Sequence, residues 1–559
     1  MSRPPRSLVS ALSVGAFTLV CGACYDVGQG QELQGWNSAG EDEGGEGGEG
    51  DEGGAAPVDD SGADPSASQG GGQDDDDDDD DAPAAPPSIT LLSVNGDAEP
   101  APITEAMAAT VAVSTDDDAA VTRVEVSVVG DDAPLATIEA PPFSATWLID
   151  DVVAREPRTL QAIAFGADGV ASPAVTLPIT FKLPMSGSPR WRRGATDGPA
   201  SDQVTGVAIA SDGDLITVGF QTEPKGERSR VTLSRHSPVD GHSRWQAVLP
   251  SQPSHGEHFR GRALAITAEG DVLVAGEVRR GGAPPQLWLG RVDGEDGALL
   301  RSREGQSAAG EQARALVTTS AGGAVIVGQS GEDLAGALLL RRYDADLTVR
   351  WSRSQKGELT AWSIGQGLCA GEDGSLYVTG SEVSLGGDHK LLVSRYSEEG
   401  ALLWGSSGIF EGMEREDGAG VALNSLGELV VVGDARGVDE AARAVAVRRL
   451  RADDGSLISF IRLSGHSDGD GVAHAVALDR HNRIYIAATL EDGQGEAQGV
   501  TVRLSRDSGA IAWIRPHEGA GANEVRGAAV AIDTIGYVFL GGRELVNGTP
   551  RWWTAALNP

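Results

Sequence analysis

A strand, a turn closing on glycine and a second strand ending in glycine recur about every 54 residues from residue 206 onward, and such a period marks a stacked or circular repeat architecture. The seven copies run Gly206 to Gly219, Ala263 to Gly276, Ala315 to Gly328, Gly367 to Gly380, Gly420 to Gly433, Ala475 to Ala488 and Ala529 to Gly542. Their turn position is Gly213, Gly270, Gly322, Gly374, Gly427, Asn482 and Gly536. These residue types accept a left-handed backbone, so each copy reads as a β-hairpin. The first strand opens on Gly or Ala and two places later carries Ala208, Ala265, Val317, Cys369, Ala422, Ala477 or Ala531. Small residues at period two suit a strand crowded on one face, as where strands converge on an axis.

A third strand carries Arg235, Arg291, Arg342, Arg395, Arg449 and Arg503, and a fourth carries Trp245, Trp351, Trp404 and Trp513, with Arg301 and Phe460 at the equivalent places. A ring of arginines could grip an acidic ligand, but recurrence in nearly every copy favours a structural bridge between neighbouring strands or blades. Fourth strands number six against seven hairpins. The missing one is expected at Trp191, ahead of the first repeat, because the chain ends after a third strand, Arg551 to Leu557. Residues 188–559 therefore read as a seven-bladed β-propeller whose N-terminal strand completes the last blade and removes the exposed sheet edges.

Ahead of the ring the pattern changes. Residues 88–184 hold short alternating apolar stretches separated by turns such as Asp116-Asp117-Asp118 and Gly130-Asp131-Asp132, the signature of an antiparallel sandwich. Trp147 is expected in its core rather than as a sugar-stacking platform. Residues 25–87 contain 20 acidic residues, including Asp74 to Asp81, and no Lys or Arg. Such a tract cannot bury enough apolar area to order itself and reads as an extended, disordered tether. Arg3 and Arg6 followed by the apolar run Leu8 to Val20 read as an export signal, residues 1–24.

The net charge of −38 comes largely from the tether, and no basic stripe offers nucleic acid an electrostatic footprint. Three cysteines, two of them inside the signal, build neither a disulfide framework nor a thiolate metal site. Gly367-Leu368-Cys369-Ala370-Gly371 looks like a nucleophile elbow, yet Cys369 holds a repeat position that is Ala in five sister copies, so it reads as a core thiol. His255-Gly256-Glu257-His258 lies in a polar loop without the helix a zinc motif needs, and Asp468-Gly469-Asp470-Gly471 lacks the remaining ligands of a calcium loop. The reading assigns no catalytic, cofactor-binding or metal-binding residue and no cofactor.

Three resemblances add to this. Cys21-Gly22-Ala23-Cys24 resembles the lipobox of bacterial lipoproteins, which implies lipidation at Cys24, a membrane anchor and, with Tyr25 next, the outer membrane or surface of a Gram-negative cell; cleavage after Ala23 without lipidation is the alternative. The run Val121 to Val126, Pro142 to Trp147 and Arg158 to Ala164 resembles bacterial Ig-like domains, which implies a spacer or adhesive module. Blade segments such as Ser394 to Trp404 resemble bacterial β-propeller repeats of secreted and outer-membrane proteins. The expected function is non-catalytic display or binding by a monomer that meets a protein or polysaccharide, with outer-membrane assembly as an alternative. Asp507 to Trp513 resembles the quinoprotein repeat, which implies a second alternative, an oxidoreductase, although that family usually has eight blades and often a vicinal cysteine pair.

Overall fold

The computed structural model describes residues 86–559 except 195–202, 224–225, 252, 332–335, 464–468, 492–495, 506–508 and 518–523. The export signal with Cys24, nearly all of the acidic tether and Asp468 lie outside the described residues.

The first unit is a two-sheet β-sandwich. Strands β1 (Ile89–Val94), β2 (Met107–Thr115) and β5 (Ser144–Ile149) form one sheet, and β3 (Val121–Val128), β4 (Ala136–Ile138), β6 (Arg158–Gly166) and β7 (Val175–Ile179) form the other, in the order β4-β3-β6-β7. Period-two alternation puts Val111, Val113, Val124, Val126, Leu160 and Ala162 on the inner faces, where they share one core. Trp147 is 3% exposed in that core and meets Phe181 edge-on at 6.0 Å, so it is packing rather than a platform.

The described residues after 188 form seven four-stranded antiparallel blades. Blade 1 comprises β9 (Gln203–Ile209), β10 (Leu215–Thr222), β11 (Ser229–His236) and β12 (Ser243–Leu249). Blades 2 to 6 repeat this order across residues 257–304, 311–355, 360–408, 413–463 and 471–516. The last blade takes three strands from the C-terminal segment and its fourth from β8 (Pro189–Gly194), which pairs antiparallel with Thr549–Leu557 so that Trp191 stands opposite Ala556. The first strand of each blade packs against that of the next, and the first strand of blade 7 packs against β9, which closes the ring. All seven hairpin-turn residues have positive φ, from +71° at Gly322 and Asn482 to +109° at Gly536.

The recurring arginines and tryptophans are inter-blade joints. Trp191, Trp245, Trp351 and Trp404 donate their indole N–H to the backbone carbonyls of Pro238, Gly294, Glu398 and Ala452 in the outer turn of the following blade, at 2.9 to 3.1 Å. The same turns present Gly241, Gly297, Gly400 and Gly455, each with positive φ and each so close that a Cβ would lie 2.5 to 2.9 Å from the ring. Arg235 and Arg342 reach across the same joints to the carbonyls of Gly294 (2.5 Å) and Glu398 (3.0 Å).

Two joints depart from the pattern in instructive ways. Where blade 2 has Arg301 instead of Trp, the facing turn has Leu347 instead of Gly at φ +64°, and its 1%-exposed side chain fills the space an indole would occupy. In blade 5 the residue opposite Arg449 is Ser459, not Phe460. The sequence alignment is thus one residue off there. Alternation turns Phe460 to the other face, where it stacks on Phe410 at 4.7 Å beneath Arg448.

Candidate functional site

Antiparallel order gives the ring two unlike faces. The hairpin turns and outer turns lie on one, while the starts of the innermost strands and the connections between blades lie on the other.

The sandwich occupies the turn face over blades 6 and 7. After the hairpin-turn glycine most blades carry a carboxylate or hydroxyl that receives the third-strand arginine of the same blade, as Asp214 receives Arg235 at 2.7 Å, Asp271 receives Arg291 at 2.5 Å and Glu428 receives Arg449 at 2.7 Å. In blade 6 that position is Arg483. Asp151 of the sandwich supplies the missing carboxylate, meeting Arg483 at 2.6 Å and Arg503 at 3.2 Å. Next to it Asp150, fully buried, accepts from Arg480 at 2.7 Å and contacts His481 at 2.5 Å. Burial pushes its carboxyl up, but His481, the Val153 amide and Arg480 outweigh that and hold it well below the usual carboxylate range. Tyr537 of blade 7 donates to the Ala106 carbonyl at 2.9 Å, and Trp513 lies against Gly187 in the connecting segment. Sequence reasoning missed this interface, although Arg483 breaks the repeat at the one place that reveals it.

The opposite face opens onto the starts of the innermost strands. Each of these strands is bulged by one residue at Thr205, Arg262, Arg314, Gln366, Ala419, His474 or Ala528. The bulge brings the preceding backbone hard against the second strand: a Cβ at Gly276 would meet the Arg260 carbonyl oxygen at 2.0 Å, and one at Gly328 the Gln312 oxygen at 1.9 Å. This close approach is why the second strand ends in glycine in six blades. The bulged residues and their neighbours differ from blade to blade, so the mouth is uneven in charge.

Blades 4 to 6 hold a compensated network. Asp417 and Asp434 stand directly opposite on adjacent strands. Arg415 and His389 meet Asp417 at 2.7 and 3.5 Å, while Arg443 meets Asp434 at 3.3 Å and Asp470 at 2.6 Å. Burial, then repulsion from Asp417, pushes Asp434 up to about 6. Burial also raises Asp417, but the His389 hydrogen bond and the Arg415 charge hold it at about 2. Burial and the charges of Arg526 and Arg443 push His474 down to about 4, and its ring contacts the Thr489 hydroxyl at 2.7 Å.

Blades 2 and 3 are different. Arg260, Arg262, Arg279 and Arg314 gather around one buried carboxylate, Glu277, which Arg262 reaches at 2.8 Å, Arg279 at 3.5 Å and Arg260 at 4.0 Å. Burial raises Glu277, yet the charges of Arg262, Arg314 and Arg279 bring it down to about 2. Arg314 bonds Gln312 at 3.1 Å. Enclosure by protein, then the neighbouring positive charges, lowers it to about 10. Phe220 lies beside Arg260 and Arg262, 5.2 and 5.9 Å from their guanidinium carbons.

No known family matches the chain, and no curated protein matches it. Solved structures that it resembles include one of the mitotic checkpoint complex (TM-score 0.41, 11% identity, 68% of this chain and 98% of that chain). They also include the polysaccharide lyase Uly1 (0.41, 11%, 65% and 90%) and the quinohemoprotein alcohol dehydrogenase from Comamonas testosteroni (0.36, 10%, 66% and 76%). At this similarity none of them bears on what the chain binds.

The remaining sequence candidates are dispersed. Cys369 is 1% exposed among Tyr377, Leu391 and Val421 in the core between blades 4 and 5. His255 lies at 3.6 Å from Glu227, whereas His258 faces Ser229 at 3.5 Å, so the two imidazoles serve different neighbours. Asp470 belongs to the Arg443 network. Among the described residues no group of three or more His, Cys, Asp or Glu side chains is placed to hold a metal ion.

Proposed function

We propose that the chain is an exported protein, anchored through Cys24 to the outer membrane or surface of a Gram-negative cell, that displays its propeller as a non-catalytic binding module for a protein or polysaccharide. One observation carries the reading. The sandwich, which connects to the tether, docks through Asp150 and Asp151 on the turn face, so the opposite mouth with its unevenly charged side chains is left to meet a ligand. The carboxylates that could serve acid–base chemistry, Asp417 and Asp434, are nearly buried and already engaged by Arg415 and Arg443, which favours architecture over catalysis.

The test has two parts. Metabolic labelling with an alkyne fatty acid should mark the wild type and not Cys24→Ala, and protease added to intact cells should remove the propeller. An unlabelled wild type would sink the anchor, and a protected propeller would sink surface display. For binding, the purified chain is screened against glycans and envelope proteins, and failure to retain any of them would count against a binding module.

A further inference from the structure

In the arginine cluster of blades 2 and 3, on the open face, positive charge outnumbers negative among the described residues. Among the described residues, four guanidinium groups gather at a single carboxylate, Glu277, which is itself 1% exposed and held by Arg262. Among the described residues, the Nε–H groups of Arg260, Arg279 and Arg314 are buried without an acceptor, as are those of several arginines elsewhere. By contrast, two arginines of blade 5 on the same face, Arg415 and Arg443, each have a carboxylate partner. A buried donor with no acceptor is costly, and like charges brought together raise that cost. Both are relieved by an oxyanion, whose planar or tetrahedral oxygens match the guanidinium fork.

The surroundings indicate what carries the anion. Neutral amides rather than carboxylates stand near the arginines, Gln203 level with Gln312 in blades 1 and 3 and Gln366 at the bulge of blade 4, side chains whose amides suit sugar hydroxyls. Large exposed apolar side chains lie on the outermost strands, such as Leu299, Leu300, Leu402 and Leu403, and on the open face at Leu359, Leu385 and Val438 of blades 4 and 5, outside the arginine cluster of blades 2 and 3. The aromatic beside the arginines, Phe220, is partly buried against Arg260 and Arg262, whereas a protein partner would call for an exposed apolar or aromatic anchor there.

We propose that Arg260, Arg262, Arg279 and Arg314 form a binding site for the carboxylate or sulfate groups of an acidic polysaccharide that approaches the face opposite the sandwich. The proposal rests on the binding-module reading and names its ligand class. Each engaged guanidinium contributes about tenfold or more to affinity.

The experiment uses the full chain and five probes: polygalacturonate, dextran sulfate, neutral dextran, polyglutamate and sodium sulfate. Isothermal titration at low salt should show binding of polygalacturonate or dextran sulfate, weakened by added salt and by competing sodium sulfate. Arg260→Gln/Arg314→Gln should lose at least tenfold in affinity. Arg279→Gln, the mildest change because that side chain is 43% exposed, should lose severalfold. Arg350→Gln, an exposed arginine on an outermost strand, should change nothing, and thermal melts confirm that each variant is folded. Equal affinity for neutral dextran, or acidic-glycan binding unchanged by the folded arginine variants, would overturn the site and leave the binding-module reading standing. Preference for polyglutamate over both acidic glycans would overturn the polysaccharide class. Failure of all five probes alongside capture of an envelope protein would also overturn the proposal while sparing the module.

Discussion

Replacing Trp191 with alanine in the full chain tests ring closure at its joint. Trp191 is 8% exposed, donates to the Pro238 carbonyl at 2.9 Å, and packs with Val204, Val207 and Phe539 from blades 1 and 7. Truncating a buried tryptophan costs about 3–5 kcal/mol, counting transfer and cavity terms together. With an unfolding entropy of about 2.1 cal/mol/K per residue over roughly 370 residues, a loss of about 4 kcal/mol lowers Tm by about 5 °C. Trp351→Ala is the internal standard, because Trp351 makes the same contact in mid-chain, donating to Glu398 at 3.1 Å against Gly400, and is more exposed. Differential scanning calorimetry should therefore find Trp191→Ala at least as destabilised as Trp351→Ala. A Trp191→Ala melt within 1 °C of wild type, with Trp351→Ala clearly lowered, would show that β8 is an accessory strand and not a closing one.

The other expectations concern charge and joint geometry. Asp151→Ala leaves Arg483 and Arg503 without the sandwich carboxylate and should cost about 2–3 kcal/mol, less than a fully buried pair because Asp151 is partly exposed and Arg483 keeps Asp479; chemical denaturation checks this, and an unchanged midpoint would refute it. Because Asp434 titrates at about 6 when folded and near 3.8 when unfolded, the folded state holds its proton more tightly, and stability falls as pH rises from about 4 through 6, by at most about 3 kcal/mol. Asp434→Asn should thus melt higher than wild type at pH 7.5 and lose that advantage below pH 5; an advantage unchanged across this range would refute the assignment. Arg301→Trp should destabilise because the indole meets Leu347, and Arg301→Trp/Leu347→Gly should melt above it, restoring the Trp–Gly joint; equal melts would refute the joint rule.

The ring was legible because its determinants are local and repeated seven times. A left-handed turn demands Gly or Asn, and a missing fourth strand leaves a count of six that only Trp191 can complete. Phe460 was misread for the same reason the rest was read well. Residue types repeat at similar spacing, and a one-residue offset in the strand pairing, invisible in the spacing, moves a side chain to the other face. The bulges at Arg262 and Arg314 could not be read either, because the extra residue shows only in the pairing with the partner strand. Only the glycines that tolerate the resulting approach, Gly276 and Gly328, appear in the pattern.

What distinguishes one blade from another is then where function has room to reside. At the joints, Trp, Arg and Gly are held nearly constant by mutual contact, and a change on one side is matched on the other, as with Arg301 and Leu347. At the hairpin position Arg483 departs from the carboxylate or hydroxyl of most blades; within its blade it meets Asp479, and the carboxylate it shares with Arg503 is Asp151 of another unit. At the mouth, Arg260, Arg279 and Arg314 also differ from their counterparts in other blades, and among the described residues one carboxylate, Glu277, stands among them. A departure from the repeat has marked one contact with a separate body on the turn face. The charge imbalance on the opposite face is the ground for expecting a second, anionic one.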